Sequence, residues 1–326
     1  MLPENTKHEE FACIAMPGGL ADYSGLPLDI DDSLTISAEA PVTIDDWWRQ
    51  QLGQFLAERF DDSRLFLVAR APFRVPSASN IQKQNLEQAV LALMYSLLMH
   101  DLRCEGRAVV VAASASQGKT VIRELETLHT HYNCPNSFRC IKLEEVPLAG
   151  AAALALKEVL DQPGNYPRFR RGVNAWIRGL LAEQVLDRLH QFTRSLDALM
   201  IPPIGRSRAQ FARRGQLFLG AGPDKRKLLE EVYDLRSCAE HMNDYTGALT
   251  AYSPGDHDRI GCLRVFQVET LAKRVYSLVL RNRSLLEIFT DDGRTHQFWN
   301  LPDDQKQKRW GPPLDMAAEE QFFLYQ

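Results

Sequence analysis

The stretch "DQPGNYPRF", residues 161–169, constrains this chain more than any other. Two prolines and a glycine within nine residues interrupt any regular element that runs into them. The chain has a different character on either side. Before the break, strand-like and helix-like runs alternate. "TIDDWWRQQLGQFLAERF" has helical spacing behind a start, Thr43 with Asp46 three residues on, that resembles a capping box. "RLFLVARAPF", "RAVVVAA" and "SFRCIKLEEV" read as strands, "NIQKQNLEQAVLALMYSLLMH" and "GAAALALKEVL" as helices. After the break no comparable strand run occurs. "GLLAEQVLDRLHQFTRSLDALM" sets Val185, Leu189, Phe192, Leu196 and Leu199 on one stripe. "SRAQFARRGQLFL", "DKRKLLEEVYDLRSCAEHM" and "IGCLRVFQVETLAKRVYSLVLRNRSLLEIF" follow as helices, the last of them as one or two. The expectation is an α+β chain, with a mixed α/β domain over residues 1–165 and an all-α helical bundle over 166–326.

Composition narrows the setting. A chain of 326 residues accommodates two domains of ~150 residues. With 45% hydrophobic and 25% charged residues it belongs with folded globular proteins. No apolar run reaches the ~18 residues of a membrane span, so no membrane partner is expected. The start, "MLPENTKHEEFACIAMPGG", has neither a basic leader nor an apolar core. Six cysteines in such a chain read as reduced thiols, which makes a cytoplasmic location the expectation. The net charge of −4 is unevenly spread. Met1 to Asp62 holds 13 acids against 3 bases, whereas Tyr166 to Gly220 holds 10 arginines, no lysine and only Glu183, Asp187 and Asp197 as acids. Such a basic segment suits phosphates, and it equally suits arginine stems that cover helix surface and pair with the acidic region.

Two short motifs invite other chemistry. Ala113 to Thr120, "ASASQGKT", has the spacing of a phosphate loop, with Lys119 and Thr120 in the positions that reach phosphates and magnesium. Ala113 stands where the first glycine belongs, and no clear second metal-holding strand follows, so a polar turn is the competing reading. "HTHYNCPNSFRC" brings His129, His131, Cys134 and Cys140 within twelve residues, but its spacing matches no usual zinc knuckle or finger, and no metal is expected.

The stretch "VYDLRSCAEHMNDY", residues 232–245, is more informative. At ~100° per residue, Leu228, Val232, Leu235, Ala239 and Met242 cluster in one arc that should face a core. Arg236, Ser237, Glu240 and His241 share the opposite face. An ordinary account is available, with Arg236 and Glu240 as an i,i+4 pair and His241 at the negative end of the helix dipole.

Beyond that account, "YDLRSCAEH" resembles the R-x4-H signature of the HEPN superfamily, all-helical domains found in many RNA-cleaving toxins and antiphage proteins. "LHQFTRSLDALMIPPIGRSRAQFARRGQLFL" is similar to the helices before that signature, and "LRVFQVETLAKRVYSLVL" to the helix after it; the likeness spans roughly residues 175–300. It implies metal-independent RNA cleavage by the substrate's own 2′-OH, with no cofactor, in a homodimer that pairs two such helices, in phage defence or growth arrest. Arg236 would bind and polarise the phosphate. His241 would act as acid or base. Ser237 would hold the geometry, and Asp197, in the place of the first-helix acid of relatives, would orient Arg236. Arg213 and Arg214 would contact RNA. The chain departs from its relatives at Ser237, where Asn, Asp or His is common, and at Met242, where many have glycine. Two alternatives stay open: a non-catalytic HEPN-like module for dimerisation or RNA binding, and a nucleotide-binding protein that uses residues 113–120.

Overall fold

The computed structural model describes residues 9–72, 79–100, 102, 107–116, 119–129, 141–162, 164–201, 205 and 207–316. They gather into two compact units that meet in sequence at Leu160 and Asp161. The protein is α+β, with an antiparallel sheet in its N-terminal part and a helical C-terminal part.

In the first unit the elements are β1 (Glu9–Met16), β2 (Leu28–Asp29), β3 (Leu34–Ser37), α1 (Asp46–Leu52), α2 (Gln54–Asp61), β4 (Leu65–Pro72), α3 (Ser79–Met99), β5 (Arg107–Ser116), β6 (Lys119–His129) and α4 (Val146–Asp161). The six strands form one antiparallel sheet in the order β2-β3-β4-β1-β5-β6. β1, a central strand, is buried along almost its whole length, so its sequence "EEFACIAM" is apolar on both faces rather than alternating. Phe11, Cys13 and Ala15 point into a core with Ile44, Ala57, Phe60, Phe66, Val68, Val109 and Val111. The opposite face of β1 and β4 carries α3.

Several expectations change here. The run from Thr43 to Phe60 is two helices, because Gly53 adopts φ +89° between them. Its N-cap is Asp45, whose carboxylate accepts a hydrogen bond from the Trp48 amide at 2.8 Å, and not Thr43. The described part of "SFRCIKLEEV" is a single bridge at Ile141 and a 3-10 turn over Leu143–Glu145 rather than a strand. The described residues of this stretch, 113–116 and 119–120, lie in paired strands: Ser116 pairs with Lys119, and β6 runs on from there. A phosphate loop depends on a helix N-terminus directly after the loop, and a strand stands in that place, so the nucleotide-binding alternative loses its structural basis. Of the four candidate zinc ligands, His131, Cys134 and Cys140 lie outside the described residues, as does the side chain of His129.

The second unit contains α5 (Pro167–Leu181), α6 (Val185–Met200), α7 (Ser207–Leu219), α8 (Pro223–His241), α9 (His257–Arg281), α10 (Arg283–Leu286), α11 (Asp292–Trp299) and α12 (Asp303–Trp310). α6 is its hub and packs against α5, α7, α8 and α9. Leu189, Phe192, Leu196 and Leu199 of the expected stripe are fully buried; Val185, at the first turn, is half-buried. α5 comes close enough to α6 that small residues are required. A Cβ on Gly172 would lie 1.9 Å from the Tyr276 hydroxyl and 2.7 Å from the Ala198 Cβ, and one on Gly179 would lie 2.6 Å from the Phe192 ring. The same Tyr276 hydroxyl donates to the Ser195 carbonyl at 2.7 Å, which ties α9 to α6 at the point where α5 crosses.

The bundle also buries charge. Arg188 pairs with Glu269 at 2.8 Å between α6 and α9. Arg264 donates to Glu231 at 2.7 and 2.9 Å, to Gln267 at 2.7 Å and to the Tyr252 hydroxyl at 2.8 Å. Glu231 is therefore buried on α8 beside Leu229, Val232 and Leu235. Met242, expected in the apolar arc, is 95% exposed, because α8 ends one residue before it. Among the described residues no helix is long and apolar enough to cross a membrane.

Gly172→Ala tests the close approach of α5 to α6. Overpacking of this kind costs about 1–3 kcal/mol, so urea denaturation should show a lower midpoint with an unchanged slope.

Candidate functional site on helices α6 and α8

Helix α8 begins at Pro223 behind Gly222 and runs to His241. A proline in the first turn needs no amide partner, which suits it to that start. The helix ends because Met242 turns into the left-handed region at φ +55°. The Met242 amide returns to the Ala239 carbonyl and the Asn243 amide to the Cys238 carbonyl, closing the last turn as a C-cap. The left-handed position is one that glycine fills without strain and that Met242 occupies here. The R-x4-H pattern thus occupies the final turns of α8, with His241 exposed at the end.

The four polar residues of this face are not equivalent. Arg236 is largely withdrawn from solvent, its side chain 17% exposed. Its Nη1 reaches Glu240 at 2.6 Å, and its guanidinium lies 5.5 Å from the Tyr233 ring centroid. Glu240 and His241 are exposed and Ser237 is half-buried. Ser237 has no side-chain hydrogen bond among the described residues.

Across from Arg236, α6 carries His190, Arg194 and Asp197, one turn apart on a single face. Arg236 acts electrostatically on both His190 and Asp197. Burial pushes the Asp197 carboxyl up to about 6; Arg236, Arg168 and Arg194 work against that shift and Glu240 adds to it. Burial also lowers the His190 imidazole below its ordinary value, helped by Arg236 and Arg194. The Asp197 Oδ1, the Arg236 Nε, the His190 Nε2 and the Gln191 Oε1 are all buried without a hydrogen-bond partner among the described residues. Unsatisfied buried groups beside a carboxylate shifted by desolvation make this face a candidate functional site.

The structure therefore brings Asp197 into the electrostatic company of Arg236, but Arg236 spends its ion pair on Glu240. His241 stands at the exposed helix end. Arg213 and Arg214 lie elsewhere, on α7. Arg213 is exposed, and its nearest carboxylate is Asp303 at 3.9 Å. Arg214 donates from Nη1 to the carbonyls of Met200 and Ile201 and lies over the Trp299 ring at 5.1 Å. It caps the end of α6, a role that leaves only part of its guanidinium for RNA. Sequence reasoning missed His190 and Arg194. The signal was present, since 190, 194 and 197 repeat the helical spacing directly beside the apolar stripe.

Among the described residues no group of three His, Cys, Asp or Glu side chains could hold a metal ion. Comparison with protein-family models, with curated proteins and with solved structures gives no match.

The raised carboxyl of Asp197 sets a pH dependence. Between about pH 4 and pH 6 the folded protein keeps a proton that the unfolded chain has released, so stability falls as pH rises through that window. Above it the cost of the buried charge is fully present. Asp197→Asn should remove this decline and stabilise the protein near pH 7 by about 3 kcal/mol, read from urea titrations at several pH values. Parallel pH profiles of the two proteins would reject the assignment.

Proposed function

We propose that the helical unit is a HEPN-type, metal-independent endoribonuclease of the cytoplasm that works as a homodimer in phage defence or growth arrest. The observation that carries the reading is the placement of Arg236. It is largely withdrawn from solvent on the R-x4-H helix, in the field of the desolvated Asp197, and its Nε has no hydrogen-bond partner among the described residues. A guanidinium so placed suits a phosphoryl group better than solvent, because its field is little screened there. In the reaction the 2′-oxygen attacks phosphorus and the 5′-oxygen leaves, which yields a 2′,3′-cyclic phosphate and a 5′-hydroxyl. One proton leaves the 2′-OH and another reaches the departing 5′-oxygen; His241 transfers one of them. Arg236 takes up the charge that builds on the phosphoryl oxygens, Asp197 orients it, and Ser237 holds the neighbouring geometry. Arg213 extends the contact with RNA, together with whatever donors Arg214 has to spare.

One feature favours a second reading, an RNA-binding or dimerisation module without catalysis. Glu240 holds Arg236 at 2.6 Å and competes with any phosphate for it.

Cleavage of a mixed RNA pool in EDTA separates the two. The wild type should produce 2′,3′-cyclic ends. His241→Ala should lose about 10²–10⁴-fold of the rate. Arg236→Ala should lose about 10²–10³-fold. An inactive wild type that still retains RNA, or cleavage untouched by both substitutions, would leave the binding module as the function.

A further inference from the structure

We propose that a cleft between α7, α11 and α12 binds a phosphate group carried on a small molecule of nucleotide size. The cleft has a volume of about 520 Å³ and is lined by Arg213, Arg214, Trp299, Asp303 and Lys306, with the amides of Gln210 and Asn300 among its polar groups. That volume falls within the range of small-molecule sites and exceeds what a bare phosphate fills.

Charge decides the ligand. Three cations converge on the cleft against one carboxylate. Asp303 binds Lys306 at 2.6 Å and lies 3.9 Å from Arg213, so a single anion spans two cations. Arg214 has no carboxylate partner among the described residues. Its Nη1 serves two backbone carbonyls, and its Nε and Nη2 make no hydrogen bond among the described residues. Burial, and then the like charge of Arg213, lower the Arg214 guanidinium from its ordinary value, which places the two cations within each other's field. Lys306 is the telling residue. Its side chain is 11% exposed, whereas that of its only described partner, Asp303, is 77% exposed. A lysine is rarely withdrawn this far unless an anion compensates it. The cleft thus carries a net +2 in a concave setting that focuses the field, and a phosphate dianion matches it in charge and in acceptor number. Gln210 and Asn300, whose side chains are without hydrogen bonds among the described residues, supply donors and acceptors for the remainder of the ligand.

The inference does not rest on the nuclease reading: Arg213 and Arg214, which that reading gives to RNA, line the cleft with Lys306 and Asp303 whether or not RNA is cut on α8. The test is isothermal titration of the full chain with inorganic phosphate, AMP and adenosine at low salt. AMP should bind saturably and adenosine should not; the ratio of AMP to phosphate affinity tells a nucleotide site from a free-anion site. Arg213→Gln, a change at an exposed side chain that leaves the thermal midpoint in place, should weaken AMP about tenfold. Asp303→Asn should tighten it, because the competing carboxylate is gone. Asp304→Asn makes the same change of charge on the same helical turn outside the cleft and should do nothing. Absence of saturable binding, equal affinity for AMP and adenosine, or equal effects at 303 and 304 would overturn the proposal.

Discussion

The helical unit depends on how near α5 comes to α6. Two glycines, Gly172 and Gly179, let the helices approach until Tyr276, Ala198 and Phe192 fill the space a side chain would take. Dispersion falls steeply with distance, so this approach yields dense packing that larger residues would forfeit. Tyr276 then joins α9 to the same spot through the Ser195 carbonyl. With α6 held on these sides, α7 and α8 pack against what remains of its surface.

From that arrangement follows the chemistry of the α6–α8 face. The apolar stripe of α6 turns toward the core, which leaves His190, Arg194 and Asp197 on the adjoining stripe beside α8. Among the described residues, Asp197 loses water without gaining a hydrogen bond at Oδ1, and Arg236 loses water with Glu240 as its ion-pair partner. Such a half-satisfied network costs stability. The buried Arg264–Glu231 pair behaves in the opposite way. Its hydrogen bonds are met by Tyr252 and Gln267, and it serves to dock α8 on α9.

The N-terminal unit shows where a linear pattern loses information. β1 and β6 escape a search for alternation or turn chemistry for different reasons. β1 is apolar on both faces because a helix-bearing layer covers each, and a run of that kind carries no period. "KTVIRELETLH" contains residues common in helices, yet it pairs with β5 from Lys119 to His129, with one register shift at Arg123, because the ladder satisfies its backbone. The break between α1 and α2 at Gly53 is equally silent, since glycine inside a helical pattern is often tolerated.

The sequence by itself determined the fold class, the change of character near residue 161, the stripe of α6, and the extent of α3, α7 and α8, because these rest on local sequence: periodicity in α6, and a long run of helix-favouring residues in α3. It also placed Arg236 and His241 on one helix, five residues apart. Only the tertiary structure decided which polar groups lose water. Burial is a property of neighbours distant in sequence, and it alone separates Arg236, withdrawn beside Asp197, from His241, exposed one turn on. It also reassigned Arg214 to the carbonyls that end α6, and it gathered Arg213 with Asp303 and Lys306, which lie far from it along the chain, around one cleft.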